Sequence, residues 1–140
     1  MDHPSLIMAA VDGSASSVRA SHYAAGLARR QGARVAFIHV AGIPATIAAE
    51  PNAVAAYIQG YEGHAGPLLA GICANTCGLD LDAIALDRCG DPLAEIVRAA
   101  QELRADAIVV GRPVRNAGHW RRSLPARLIR NGTWPVTVVP

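Results

Sequence analysis

The residues of this 140-residue chain best suited to gripping charge lie between Gly111 and Ser123. An apolar run, DAIVVG, stops at Gly111; Arg112, Arg115, Arg121 and Arg122 follow before Ser123 opens SLPARLIRNG. A strand that ends in glycine and feeds a loop and a helix start is where α/β proteins hold anions. Backbone N–H groups converge there, and the helix N-terminus carries partial positive charge. Four arginines add full charges, and a guanidinium fork can hold a phosphate through two N–H bonds. The chemistry indicated is anion binding.

Other chemistries find little support. The chain has no G-x-x-x-x-G-K-S/T loop, no G-x-G-x-x-G, no G-x-S-x-G and no H-E-x-x-H. Metal-assisted hydrolysis wants several clustered carboxylates, and only Asp12, with Asp91 as a weaker second, falls near the anion loop. Cys73 and Cys77 share a helix face with His64 upstream, but a metal needs three or four ligands, so these thiols read as core. His39 reads as a core or strand-end histidine; His3, His22 and His119 join no pattern. Net charge is only +2, and the loop has one aromatic, Trp120, to stack a base, which argues against nucleic acid. The thirteen basic residues are all arginine, six of them between Arg112 and Arg130, so the positive charge is local.

The elements around the loop alternate. Leu6 to Val11 is a continuous apolar run ending at Asp12-Gly13, a buried strand and its turn. Ser14, Ser16 and Ser17 are candidate N-caps for a helix that ends at Arg29-Arg30-Gln31-Gly32, cations last and glycine beyond. Ala33 to Val40 reads as a second strand. Between Ala41 and Gly66, prolines and glycines leave only Ala53 to Ile58 as a short helical piece; the stretch follows Val40 and would suit a lid. Pro67 starts a helix reaching about Cys77. Leu79 to Leu86 reads as the third strand, and Asp91-Pro92 opens a helix with Leu93, Ile96, Val97, Ala100 and Leu103 on one face. Ala107 to Val110, Ser123 to Arg130 and Val136 to Val139 complete a strand, helix and strand. Apolar strands separated by helices predict a parallel sheet covered on both faces. Hydrophobic residues make up 51% and charged residues 17% of the chain, enough for one globular domain over 1–140. Three cysteines make no disulfide framework, and no apolar stretch is long enough for a signal peptide or a membrane span. A soluble cytoplasmic protein is expected.

Four stretches in this order resemble the universal stress protein family: VDGSASS before an Ala-rich helix, a strand ending His39-Val40, Gly90-Asp91-Pro92 leading into IVRAAQELRADAIVVG, and RLIRNGTWPVTVV. The resemblance covers essentially the whole chain. It implies a doubly wound, Rossmann-like α/β fold with a five-stranded parallel sheet of order 3-2-1-4-5 and helices on both faces. Strands one and four are then neighbours at the switch point, where such sheets bind ligands.

The resemblance further implies an adenine nucleotide, ATP with Mg²⁺ among the candidates. Its adenine would lie near Val40, its ribose near Asp12, and its phosphates on a loop reading G, two residues, G, nine residues, G, then S or T. The loop here departs from that pattern. Gly111 keeps the first glycine, Val114 stands at the second, Arg122 replaces the third, Ser123 keeps the hydroxyl, and the loop is two residues shorter. Valine and arginine resist the φ > 0 that glycine reaches freely, so the arginines would have to hold phosphate by side chain. The expected site comprises Val11, Asp12, Val40, Val110, Gly111, Arg112, Arg122 and Ser123. Asp12 could equally cap its own turn, and Ser123 could cap its helix while donating to phosphate.

Three functions are weighed. They are a binding or signalling module for an adenine nucleotide or other anion, a homodimeric stress-response interaction protein whose nucleotide site has decayed, and, last, a weak nucleotide hydrolase or phosphotransferase. Val136, Val138 and Val139 form an edge strand without protecting charges, and the resemblance implies that it pairs with its copy in a homodimer.

Overall fold

The computed structural model describes residues 5–76, 78, 80–113 and 122–140. Five strands, β1 (Leu6–Ala10), β2 (Arg34–Ala41), β3 (Ala83–Cys89), β4 (Ala107–Gly111) and β5 (Val136–Val139), form one sheet of order β3-β2-β1-β4-β5. Every pairing is parallel. The helices are α1 (Ala15–Gln31), α2 (Pro51–Gln59), α3 (Gly66–Thr76), α4 (Pro92–Glu102) and α5 (Leu124–Asn131). The parallel, two-sided sheet is the one expected from the alternation of apolar runs and helices, and its order is the doubly wound one that the family resemblance implies.

The sheet is covered on both faces because successive side chains point to opposite sides. Ile7, Ala9 and Val11 of the first strand and its end pack with Val35 and Phe37 beneath α1 and α3. Leu6, Met8, Ala36, Ile38, Ile108 and Val110 pack on the other face with Ile96, Ala99 and Ala100 of α4 and Leu128 of α5. Phe37, the one phenylalanine, is fully buried; such a side chain contributes about 1.5–3 kcal/mol.

Capping sets where helices begin. The Ser14 hydroxyl accepts from Ser17 N–H, and Gly32, at φ 65°, closes α1 in the left-handed conformation. Asp91 caps α4 by accepting from Ala94 N–H at 2.9 Å, with Pro92 in the first turn. Ser123 caps α5, and Gly132 ends it at φ 73°.

The third strand begins later than the Leu79 to Leu86 run suggests. Asp80 sits at φ 54°, a left-handed turn conformation incompatible with a strand. Pairing starts at Val35↔Ala83 and runs through polar Asp87 and Arg88 to Ala41↔Cys89. An edge strand tolerates those side chains because one flank is open to water. Residues 42–66 hold a longer helix than expected, α2, none of whose residues is buried.

At the lower end of the sheet, Asp106 Oδ2 accepts from Ser5 N–H at 2.7 Å and Leu6 N–H at 3.0 Å. These bonds hold its carboxyl below the ordinary range despite burial, and they fix the register of β1 against β4. That register pairs Ile7 with Ala107 and Ala9 with Val109; continued upward, it sets Val11 beside Gly111. Helix α1 lies close on these strands because its buried face is small: Ser17, Ala20, Ser21, Ala24 and Ala28. The approach is tightest at Gly111, where an added Cβ would stand 2.6 Å from Ser16 C and Ser17 N. Gly111 is not among the positive-φ residues; its glycine is required by contact, not by a left-handed turn.

Gly111→Ala is expected to destabilise the protein by about 1–3 kcal/mol through overpacking, read as a lowered midpoint in chemical denaturation. Wild-type stability would contradict the close approach.

Candidate functional site

The upper ends of β1 and β4 open into a cavity of about 420 Å³. Three helix N-termini meet there: Ser14, Ser16 and Ser17 at the start of α1, Pro92 at α4, and Ser123, Leu124 and Pro125 at α5 all line it. Each helix dipole directs its positive end to this point. The doubly wound topology makes this convergence unavoidable, since each helix begins just after the carboxyl end of a strand.

Of the residues expected from sequence, Val11, Asp12, Val40, Val110, Gly111, Arg112 and Ser123 line the cavity. Arg122 is exposed and does not line it. Val114, Arg115, His119, Trp120 and Arg121 lie outside the described residues, as do His3 and Cys77. Ala10, Ile38, Pro92, Ile96, Pro113, Leu124 and Pro125 supply apolar wall that the sequence reading missed. Asp91-Pro92 had been legible as a helix start. The signal overlooked was that a helix following β3 on that face must begin at the same sheet end.

Asp12 N–H donates to Ser17 Oγ at 3.2 Å, and Asp12 Oδ1 accepts from Ser14 N–H at 2.9 Å. Partial burial alone would raise the Asp12 carboxyl, but hydrogen bonds from Ser14 and Ser17 outweigh it and hold it below its ordinary value. It is therefore an ionised, acceptor-only group at neutral pH, suited to hydroxyl donors. Both readings of Asp12 from sequence coexist: it braces its own turn and it lines the cavity. Across the cleft, Ser16 Oγ donates to the Arg112 carbonyl at 2.7 Å, and Arg112 N–H donates to Val139 O at 2.7 Å. The Arg112 backbone is thus tied on both sides while its side chain is exposed.

The stretch from Ala41 to Gly66 does not cover the cavity, whose lining passes from Val40 directly to Pro92. It is held elsewhere, by Asp87 on the edge strand. Tyr61 Oη donates to Asp87 Oδ1 at 2.7 Å and Ala65 N–H to Asp87 Oδ2 at 2.9 Å. Tyr61 Oη also accepts from His64 N–H at 3.2 Å. Burial would raise the Asp87 carboxyl, but the bonds from Tyr61 and Ala65, with His39 beside it, hold it below its usual value. His39 Nδ1 lies 3.4 Å from Asp87 Oδ1 without the alignment of a hydrogen bond, so it is less fully satisfied than a core histidine would be. Cys89 is buried and Cys73 partly so. Among the described residues no three His, Cys, Asp or Glu side chains cluster as a metal site would need. No helix among them is long and apolar enough to cross a membrane.

Asp87→Ala should cost about 1.5–3 kcal/mol, since hydrogen bonds to a charged acceptor are lost. With the folded-state pKa lowered, this contribution is fully present above the unfolded carboxylate value of about 3.9 and is lost as pH falls through the folded one. The stability gap between wild type and Asp87→Ala is therefore expected to narrow between neutral pH and about pH 3, followed by denaturant titration at each pH. An unchanged gap would contradict the role of the ionised carboxylate.

Residues 5–71 match the model of the universal stress protein family. No curated protein matches the chain significantly. Among solved structures, a universal stress protein in complex with cAMP is 24% identical, with a TM-score of 0.73 over 99% of this chain and 98% of its own. A universal stress family protein from Burkholderia pseudomallei is 25% identical, with a TM-score of 0.70 over 97% and 96% of the two chains. The universal stress protein from Archaeoglobus fulgidus in complex with dAMP is 22% identical, with a TM-score of 0.66 over the full length of both. The chain thus matches the universal stress protein family model over 5–71 and shares the fold of solved universal stress proteins over nearly its whole length.

Proposed function

We propose that this protein is a universal-stress-type binding module that takes an adenine nucleotide in the cavity between β1 and β4. The observation that carries the reading is that cavity itself. It joins an ionised acceptor, Asp12, an apolar wall and an arginine at a point where three helix N-termini converge. Its volume of about 420 Å³ falls within the roughly 300–1,000 Å³ typical of small-ligand sites. In support, two of the similar proteins named above were solved in complex with cAMP and with dAMP.

In this reading Val40, Pro92 and Ile96 flank the adenine, whose faces are apolar. Asp12 accepts from a ribose hydroxyl. Arg112, Ser123 and the start of α5 meet the phosphate. Arg122 serves no contact with the described cavity and adds only to the local positive field, and any Mg²⁺ would enter with the nucleotide. The role in this reading is binding or signalling in the cytoplasm; among the described residues, Asp12 is the one carboxylate that lines the cavity.

Self-association is a second part of the proposal. The β5 edge presents Val136 to Val139, all partly buried against the two core layers yet open on one flank. Pairing with a second copy would satisfy those backbone groups and form an isologous homodimer.

In calorimetry with AMP, ADP and Mg²⁺-ATP, micromolar-range binding is expected, and Asp12→Ala and Arg112→Ala should each weaken it about tenfold or more. Absence of heat with all three would refute the nucleotide reading. In light scattering, Val138→Lys is expected to shift the protein from dimer to monomer; an unaltered mass would remove the β5 edge from the interface.

A further inference from the structure

We infer that α2 and its flanks form a docking surface for a polypeptide partner. The partner is a cationic, amphipathic segment that packs apolar side chains on Val54, Tyr57 and Ile58 and sets its charges against Glu50 and Glu62. The surface is independent of the nucleotide cavity, none of whose lining residues falls between Ala41 and Gly66.

Helix α2 (Pro51–Gln59) carries no charged residue, and none of its residues is buried. A surface helix of a folded domain ordinarily turns an apolar stripe to the core and charges to water; α2 does neither. Val54, Tyr57 and Ile58 recur at the three- and four-residue spacing that gathers side chains on one face. None of them belongs to either core layer. Tyr57 is 36% and Ile58 42% exposed, and they are neighbours among the large hydrophobic side chains open to solvent. A scattered apolar residue needs no partner, but a contiguous apolar patch marks a contact surface. Anchors at this spacing are those by which a helix meets its partner.

The helix is held in place without being covered. Glu50 N–H donates to Ile47 O at 2.9 Å before it, and Gly60 N–H to Ala56 O at 2.9 Å at its end. Tyr61 N–H donates to Ile58 O at 3.2 Å, and the Tyr61 ring is anchored on Asp87. A surface ordered beforehand costs a partner less to engage.

Charge decides the partner. No lysine or arginine occurs between Arg34 and Arg88, a span that holds Glu50, Glu62, Asp80, Asp82 and Asp87. Asp82 is paired with Arg34, and Asp87 is engaged by the Tyr61 turn. Glu50 stands at the N-cap of α2 without a capping bond, and Glu62 lies just past its end. Both are exposed, and neither carboxylate has a hydrogen bond or ion pair among the described residues. They flank an uncharged helix about 14 Å long. Anionic lipid and nucleic acid are repelled by such a surface. A second copy docking two-fold on α2 would set these carboxylates against their own copies. A segment whose cations flank apolar anchors complements both features, charge giving specificity and encounter rate.

The test is fluorescence anisotropy of a labelled helical peptide of about 14 residues, titrated with the intact protein. The peptide carries leucine on one face and lysine elsewhere, and a control has glutamate in place of lysine. The protein's net charge of +2 offers a cationic peptide no general attraction. The lysine peptide is expected to bind at least about tenfold more tightly than the control, and amide shifts should centre on Val54 to Glu62. Ile58→Ser, at an exposed site outside the core, and the pair Glu50→Gln with Glu62→Gln should each weaken binding about fivefold or more. Equal binding of the two peptides, wild-type affinity in the variants, shifts centred elsewhere, or no binding at millimolar peptide would each overturn the assignment. A molar mass in light scattering that falls in Ile58→Ser would make the occupant a second copy. Capture by phosphatidylglycerol vesicles that Ile58→Ser abolishes would make it a lipid surface. Either result overturns the polypeptide partner.

Discussion

The contact between Gly111 and the first turn of α1 is the constraint on which the upper end of the molecule depends. A methyl group at that position would meet Ser16 C and Ser17 N at 2.6 Å, so the strand can reach the helix only as glycine. That approach lets Ser16 Oγ bond the Arg112 carbonyl at 2.7 Å and brings the end of β4 level with Asp12. An ionised carboxylate and an arginine thus face one cavity from adjacent strands. Without the contact, α1 would stand off the sheet and the cleft would lose its shared wall. The alanine and serine face of α1 serves the same end, since larger side chains would lift the helix.

Much of this was legible in the sequence. The caps Ser14, Asp91 and Ser123 and the closing glycines Gly32 and Gly132 act by local chemistry that a short window reveals. The strand order followed from alternation and resemblance together, and it was enough to bring Asp12 and Gly111 together. What eluded sequence reading depends on long-range contact. Leu79 to Asp82 alternates as a strand would, yet Asp80 turns left-handed at φ 54° and the strand starts at Ala83. Residues 41–66 look free to fold over the pocket, but Asp87, a polar residue on an edge strand, captures Tyr61 and Ala65 instead. No local pattern announces a carboxylate that anchors a turn more than twenty residues away.

The glycine of the anion loop illustrates how one residue can be recognised correctly for an incomplete reason. Read as a loop element, Gly111 is needed to let a phosphate near the backbone. In the fold it is needed to let a helix near a strand, and its φ is not positive. Loss of the later loop glycines therefore does not imply loss of the cleft, because the cleft is shaped by packing between α1 and β4.

The central claim is that an adenine nucleotide occupies the cleft between β1 and β4. The most direct measurement is a titration of ¹⁵N-labelled protein with AMP, followed by amide shifts. The account predicts saturable perturbations at Asp12, Ser16, Val40, Gly111, Arg112 and Leu124, with the β3 edge around Asp87 unmoved. Perturbations centred away from those residues, or none at saturating nucleotide, would contradict it.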